Sequence, residues 1–373
     1  MQTAKSEALL IKNIFSPEQI TQVNTNWSLL AAIRFFLAMI VLFSHWGGYT
    51  DFSPLVHHGK SLVNFAHYLG SFAAVIAFFM ISGYSIAHSI TKKPEKFLLR
   101  RIWRIWPTYF FCYFAFVLPL AIKHNASTGQ IIGNAFMMQG YFTTAINANI
   151  VSWSLAIEEG LYLLSPIFRR TPNVILLIII GISGDLYAHS PFLNWTRYAG
   201  EAGGHGFICC AWAWLLGFLY YRNFNKSWSK CLLLFLPVLL MGVYNQLPGT
   251  IQCALVLGVA LALIYSPHIK ISSPVVNKFL TWLGNISYQV YICHGSFSAC
   301  LLMILTYFGY TEDKWNQHPY RVVFLVLIVS AAIYHFIDAP NRKRWTSPLF
   351  SFSVWKNRFS HPWKSKVRLI DKI

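Results

Sequence analysis

The sequence predicts an all-α, polytopic integral membrane protein with about ten transmembrane helices. Three observations predict it. Of 373 residues, 55% are hydrophobic and only 11% are charged, against about 25% charged in soluble domains. Apolar windows of spanning length recur along the chain, parted by short polar loops. The Lys and Arg residues crowd into alternate loops.

The chain divides into a leader (1–28), a membrane domain (29–340) and a basic tail (341–373). The leader is mostly polar and lacks the short apolar core and small-residue cleavage site of a signal peptide. The first span, 29–47, is an apolar run interrupted by Arg34 and His45. The second, 69–90, holds the small polar step Ser82-Gly83, and the third, 105–122, follows a basic, aromatic stretch. Residues 131–142 are apolar but too short to cross, which suits a re-entrant or interfacial segment. The fourth span, 151–168, carries Glu158 and Glu159 in a chain with only 12 acidic residues. Four more follow at 173–190, 205–221, 231–247 and 250–266. The ninth, 284–308, opens with polar groups and contains His294, and the tenth is 321–338.

Orientation follows from the cations. With the N-terminus inside, the inner segments and the tail hold 24 of the 30 Lys and Arg residues. Lys60, Lys123, Arg197, Lys314 and Arg321 fall outside, and Arg34 lies within the first helix. Both termini are therefore expected in the cytoplasm of a multi-pass protein of the plasma (bacterial inner) membrane. The same distribution argues against nucleic acid as the partner of a +18 chain, because no basic soluble domain is left to grip a duplex. The tail suits attraction to anionic membrane lipid.

No metal site is expected. The seven cysteines show neither CxxC nor zinc spacing and read as small buried hydrophobes. His57 and His58 have no third ligand at useful spacing, and His88, His189, His205 and His335 have no partner nameable from sequence. Asp185 and Asp338 sit near helix ends, where facing water suffices to explain them. Walker, dinucleotide-fingerprint, HExxH and GxSxG motifs are missing.

Five groupings carry possible chemistry. Arg34 and His45 are eleven positions apart, so at about 100° per residue they return to within roughly 20° of one face, some 16 Å apart along the axis. Ionisable groups inside a membrane helix are functional candidates by default. Arg101 and Arg104, three apart, share a helix face and suit phosphates of a polyphosphate ligand such as coenzyme A or a nucleotide; a topogenic cluster is the plain alternative. Glu158 needs a cation, an imidazole or a proton to be held there, so it either orients His45 or offsets Arg34; an interfacial first turn is the plain alternative. Ser82 and Gly83 permit close helix approach or line a channel. His294 is either a packing residue or part of a site.

Taken together, these segments resemble acyltransferase family 3, the integral-membrane O-acyltransferases. Arg34 and His45 match its R-x10-H arrangement, Phe78 to Tyr84 its FF-x-x-SG-aromatic segment, and Arg101 to Arg104 its RxxR motif. Trp153 to Glu158 match WSLxxE, and Leu283 to His294 match the late LG-x-x-SY-x-x-Y-x-x-H segment. Asp338-Ala339-Pro340 departs from the family's Glu-x-Pro.

The resemblance implies transfer of an acyl group, usually acetyl, from acyl-CoA to a hydroxyl of a surface glycan. Lipopolysaccharide O-antigen and lipid-linked sugars are typical acceptors. Acyl-CoA is then a donor substrate, and no permanently bound cofactor is expected. On this reading His45, Arg34 and Glu158 are catalytic, with His45 as general base. Arg101, Arg104, Ser82 and Gly83 bind the donor, while Trp153, Ser154, Tyr288 and His294 bind substrate. A transporter exporting a glycolipid or acylated small molecule is the competing class. Oligomeric state is silent in the sequence.

Overall fold

A computed structural model describes residues 23–49, 69–189, 202–243, 249–309 and 319–346. Every regular element among them is helical, apart from an isolated bridge between Gln139 and Thr143.

Helix α1 is Trp27–Tyr49. Asn26 starts it, its side-chain oxygen accepting from the Leu29 amide at 3.0 Å. Helix α2 is Ser71–Lys92. Helix α3 runs Phe97–Lys123 and contains a π-helical turn at Tyr113–Val117. A short helix, α4 (Thr128–Ala135), and a 3-10 turn, Asn147–Ser152, lead into α5 (Trp153–Arg170). Then come α6 (Asn173–His189), α7 (His205–Arg222), α8 (Ser227–Val238, prolonged by a π turn at Leu239–Val243) and α9 (Gly249–Tyr265). The longest helix, α10, is Pro274–Tyr307, and α11 (Pro319–Ile333) passes through a π turn at Tyr334–Asp338 into α12 (Ala339–Thr346).

Five helices among the described residues are long and apolar enough to cross a membrane: α1, α2, α3, α10 and the α11–α12 run. Helices α6, α8 and α9 are apolar but shorter. Helix α7 is buried along almost all its length, Trp212 and Trp214 completely, so protein rather than lipid surrounds it. Most of the leader and tail lie outside the described residues, as do His57, His58 and the cations Lys5, Lys12, Lys60, Arg197 and Lys314.

Two boundaries differ from the sequence reading, for one reason. Helices α3 and α10 begin at Phe97 and Pro274, well before the apolar windows at 105 and 284. Ser273 caps α10, accepting from the Val276 amide, and Pro274 occupies its first position. At 1.5 Å per residue, 34 residues span about 51 Å, more than the roughly 30 Å of hydrocarbon. Polar first turns can therefore project beyond lipid while remaining helical. Arg100, Arg101 and Arg104 consequently stand on a helix and not in a loop.

Ser82 and Gly83 are neighbours with opposite duties. A Cβ on Gly83 would lie 1.8 Å from the Trp214 carbonyl oxygen, and one on Gly217 would lie 2.0 Å from that of Met80. Helices α2 and α7 thus touch backbone to backbone at a reciprocal pair of glycines. Gly83 therefore serves helix packing, the close approach that its sequence reading allowed. Gly83→Ala must push the helices apart, and a loss of at least about 1–3 kcal/mol is expected. Thermal unfolding in detergent checks this; a midpoint equal to that of the parent protein would show that the helices separate freely.

Residues 131–142 form no span, in keeping with their length. The buried Asn134 side chain organises the segment. Its amide nitrogen donates to the Gln130 and Thr144 carbonyls, both at 2.9 Å, and its oxygen accepts from the Ile146 amide at 3.1 Å. Tyr109 also donates to the Asn134 carbonyl. Irregular backbone is tolerated at depth where such bonds are made.

Asp338 contradicts its sequence reading. It is 1% exposed, accepts from Gln289 at 2.8 Å, and is held by Arg342, whose Nε lies 2.7 Å away. Arg342 also donates to Asn285 at 3.1 Å, so the network clamps α12 to α10. Asp338→Ala should cost roughly 3 kcal/mol, as expected when one member of a buried ion pair is removed. Thermal unfolding measures it; an unchanged midpoint would mean that the clamp contributes no stability. Asp185, by contrast, is exposed and pairs with His189 at 3.0 Å.

Candidate active site

One end of the bundle gathers cations. The Trp27 ring lies 4.6 Å from that of His88, Asn26 donates to the Ile269 carbonyl at 2.9 Å, and Arg101 donates to Ser89 Oγ at 2.6 Å. These contacts bring the start of α1, the end of α2, the start of α3 and the approach to α10 together. Between them lies a cavity of about 380 Å³ lined by Arg34, Lys92, Lys93, Arg100, Arg101 and Arg104. Trp27, His88, Thr281, Gly284 and Asn285 complete much of its wall, and no carboxylate lines it.

Each cation has a local reason to be where it is. Lys96 takes a left-handed conformation, φ 52°, that turns the chain from α2 into α3. Arg100 donates to the Lys93 and Glu95 carbonyls and closes that turn. Arg101 lies over the Phe97 ring at 5.4 Å, with its Nε buried and unpartnered. Arg34 and Arg104 make no hydrogen bond or ion pair with any described residue. A cation such as Arg34 within a membrane helix is costly to hold without a partner. Six cations facing one space whose wall holds no carboxylate repel one another as well. Their natural complement is a ligand with several negative charges, and guanidinium forks favour phosphate.

Arg34 also lines a second, smaller chamber, of about 40 Å³, deeper in the bundle. Phe78, Ser154, Glu158, Tyr288 and Tyr291 share that chamber. Glu158 accepts from Tyr162 at 2.8 Å, and Tyr162 in turn lies 3.0 Å from Ser82 Oγ. Ser82 thus touches the group that holds Glu158 and is not among the residues lining the cationic cavity. Ser154 Oγ meets the Tyr291 hydroxyl at 2.5 Å, and Tyr291 donates to the Val151 carbonyl at 3.1 Å. Tyr288 donates to the Ile105 carbonyl at 3.2 Å.

His45 lies beyond this chamber and lines neither space. Its Nδ1 is 2.8 Å from the Val41 carbonyl and 3.4 Å from His294 Nε2. The His294 ring sits 6.3 Å from that of Tyr291, a chamber residue. Helix α10 therefore carries a continuous line from Tyr288 through Tyr291 to His294, with Arg34 at one end and His45 at the other. The eleven-residue spacing does bring both side chains to the same neighbour. It does not join Glu158 to His45: Glu158 accepts from Tyr162, while the His45 ring meets the Val41 carbonyl and His294.

Two further sequence assignments move. Trp153 is packed between Phe72, stacked at 6.3 Å, and Phe79, edge-on at 6.4 Å, and lines neither space. His294 is 3% exposed and touches His45 rather than either cavity. Sequence reasoning missed Trp27, His88, Asn285 and Tyr291 as lining residues. The one available signal was periodic: His88 and Lys92 are one turn apart on α2.

Comparison with known proteins supplies further findings. A family model described as an acyltransferase domain matches residues 29–337. ORF330 of Acidianus two-tailed virus, provisionally named an acetyltransferase, is 23% identical over 244 residues, 62% of this chain and 74% of that one. The peptidoglycan O-acetyltransferase OatA of Listeria monocytogenes serovar 1/2a is 24% identical over 365 residues. That match takes in 81% of this chain and 57% of the relative's length. No solved structure matches the chain.

Proposed function

The chain belongs to the acyltransferase family whose model matches residues 29–337, and from that premise we propose that it is a membrane O-acetyltransferase moving acetyl from acyl-CoA to a glycan hydroxyl. The observation that carries the donor is the cavity lined by six cations and no carboxylate. Coenzyme A is polyanionic at its head and thin along its pantetheine arm. Its phosphates sit among Arg34, Arg101 and Arg104, and the arm runs past Arg34 toward Tyr291 and His45. The inner chamber, about 40 Å³ against about 380 Å³ for the cationic cavity, is the narrow part of that path. Entry of the arm therefore turns the Phe78 and Tyr291 rings aside.

His45 acts as general base. It takes the proton of the acceptor hydroxyl while that oxygen bonds to the thioester carbonyl carbon. The carbon–sulfur bond then breaks, and the thiolate leaves with the proton returned by His45. Arg34 offsets developing negative charge. Glu158, beside Arg34 in the inner chamber, tempers that charge between turnovers. Ten membrane crossings with cytoplasmic termini put the cationic cavity inside and His45 toward the outer face, so donor and acceptor meet from opposite sides. A bacterial inner membrane suits that arrangement. Acceptors of the peptidoglycan or lipopolysaccharide kind both offer such hydroxyls, and the similarity to a peptidoglycan O-acetyltransferase favours the former.

Mass spectrometry of surface polysaccharide from cells with and without the gene tests this. One acetyl group per modified unit should disappear with the gene. Identical spectra, alongside an acetylated compound retained inside the cells, would favour export by a transporter instead.

A further inference from the structure

We propose that His294 is a positioning residue that fixes the tautomer of His45 and leaves His45 Nε2 as the nitrogen that receives the acceptor's proton. This rests on the acetyl-transfer reading above. His294 Nδ1 lies 3.1 Å from the Val290 carbonyl and 2.8 Å from the Tyr291 carbonyl. A carbonyl oxygen only accepts, so Nδ1 carries the hydrogen, and the Nε2 of the neutral ring is bare. That bare nitrogen faces His45 Nδ1 at 3.4 Å.

His45 Nδ1 is in turn 2.8 Å from the Val41 carbonyl. It too must carry its hydrogen, shared between Val41 and the bare nitrogen of His294 in a three-centre arrangement. Each ring hydrogen then has one place to be. The remaining nitrogen of His45, Nε2, is left with its lone pair free. The opposite tautomer of His294 would turn an N–H toward the N–H of His45 and set a ring lone pair against the two carbonyl oxygens.

The ladder also acts during the reaction. When His45 Nε2 gains a proton, its Nδ1–H becomes a charged donor and its bonds to His294 and Val41 strengthen. The ring is held against rotation at the step where a misplaced proton would be lost. His294 is buried on α10, which also supplies Tyr288 and Tyr291, so the base and the inner chamber are registered on one rigid rod.

Two variants separate this role from packing. In nanodiscs with acetyl-CoA and deacetylated surface polysaccharide, His294→Met fills the space without an acceptor, whereas His294→Gln keeps a side-chain oxygen. The Met variant should lose about 10- to 100-fold in kcat, a part of the roughly 10²–10⁴-fold that a general base provides, with KM for acetyl-CoA unchanged. The Gln variant should recover most of the loss. Equal activity in the two would make His294 a space filler, and a raised KM in both would make it a substrate contact. The ¹⁵N spectrum of histidine-labelled parent protein, with the His45 signals assigned by their loss in His45→Gln, decides the tautomer even if His294→Met does not fold. A bare Nδ1 on His45 would overturn the proposal. Undiminished transfer by His45→Ala would instead remove the base reading, leaving the tautomer result standing.

Discussion

His45→Ala should yield a folded protein whose acetyl transfer is at least about 100-fold slower, because a general base contributes roughly 10²–10⁴-fold. His45 lies near the C-terminal end of α1, and its ring contacts are the Val41 carbonyl and His294. Truncation therefore removes no ion pair from the bundle. Unfolding in detergent should change little, and KM for acetyl-CoA should hold, since the proposed phosphate site beside Arg34 is some three turns away. Steady-state thiol release gives both constants. Retained kcat would exclude His45 as the base, and a raised KM with normal kcat would make it a binding group.

The second large effect belongs to the donor cavity. Arg101→Ala combined with Arg104→Ala should raise KM for acetyl-CoA by about 100-fold or more, since charge-assisted hydrogen bonds are worth roughly 1.5–3 kcal/mol each. Arg104 has no partner among the described residues, so its removal leaves nothing unpaired. Arg101 gives up one bond, to Ser89. Removing two mutually repelling cations from a space without carboxylates should leave the fold intact or stabilise it slightly. Lysine replacements should recover only part of the affinity, because an ammonium lacks the planar fork. Unchanged KM in the alanine double variant would reject phosphate binding at these residues.

Much of this was legible along the chain. Helical apolar windows announced the all-α class, and the Arg34–His45 interval placed both groups toward one neighbour. Helix starts were less legible: Pro274 and Phe97 open helices in polar sequence, where hydropathy carries no signal. The partners of buried polar groups were not legible at all. Asp338 reads as a helix-end acid until Gln289, 49 residues away, is found against it. Glu158 could be matched to His45 by charge logic alone, yet Tyr162, one turn along its own helix, takes it. Ser82 and Gly83 show the limit from another side. Adjacent residues on a helix point about 100° apart, so one motif splits between a hydrogen-bonded site and a backbone contact.

Thiol release from acetyl-CoA by the purified protein in nanodiscs, with deacetylated surface polysaccharide supplied as acceptor, is the most direct measurement. Free thiol should appear only when the polysaccharide is present, in equal amount to the acetyl gained by it. Protein that binds coenzyme A yet releases no thiol with any such acceptor would contradict the account.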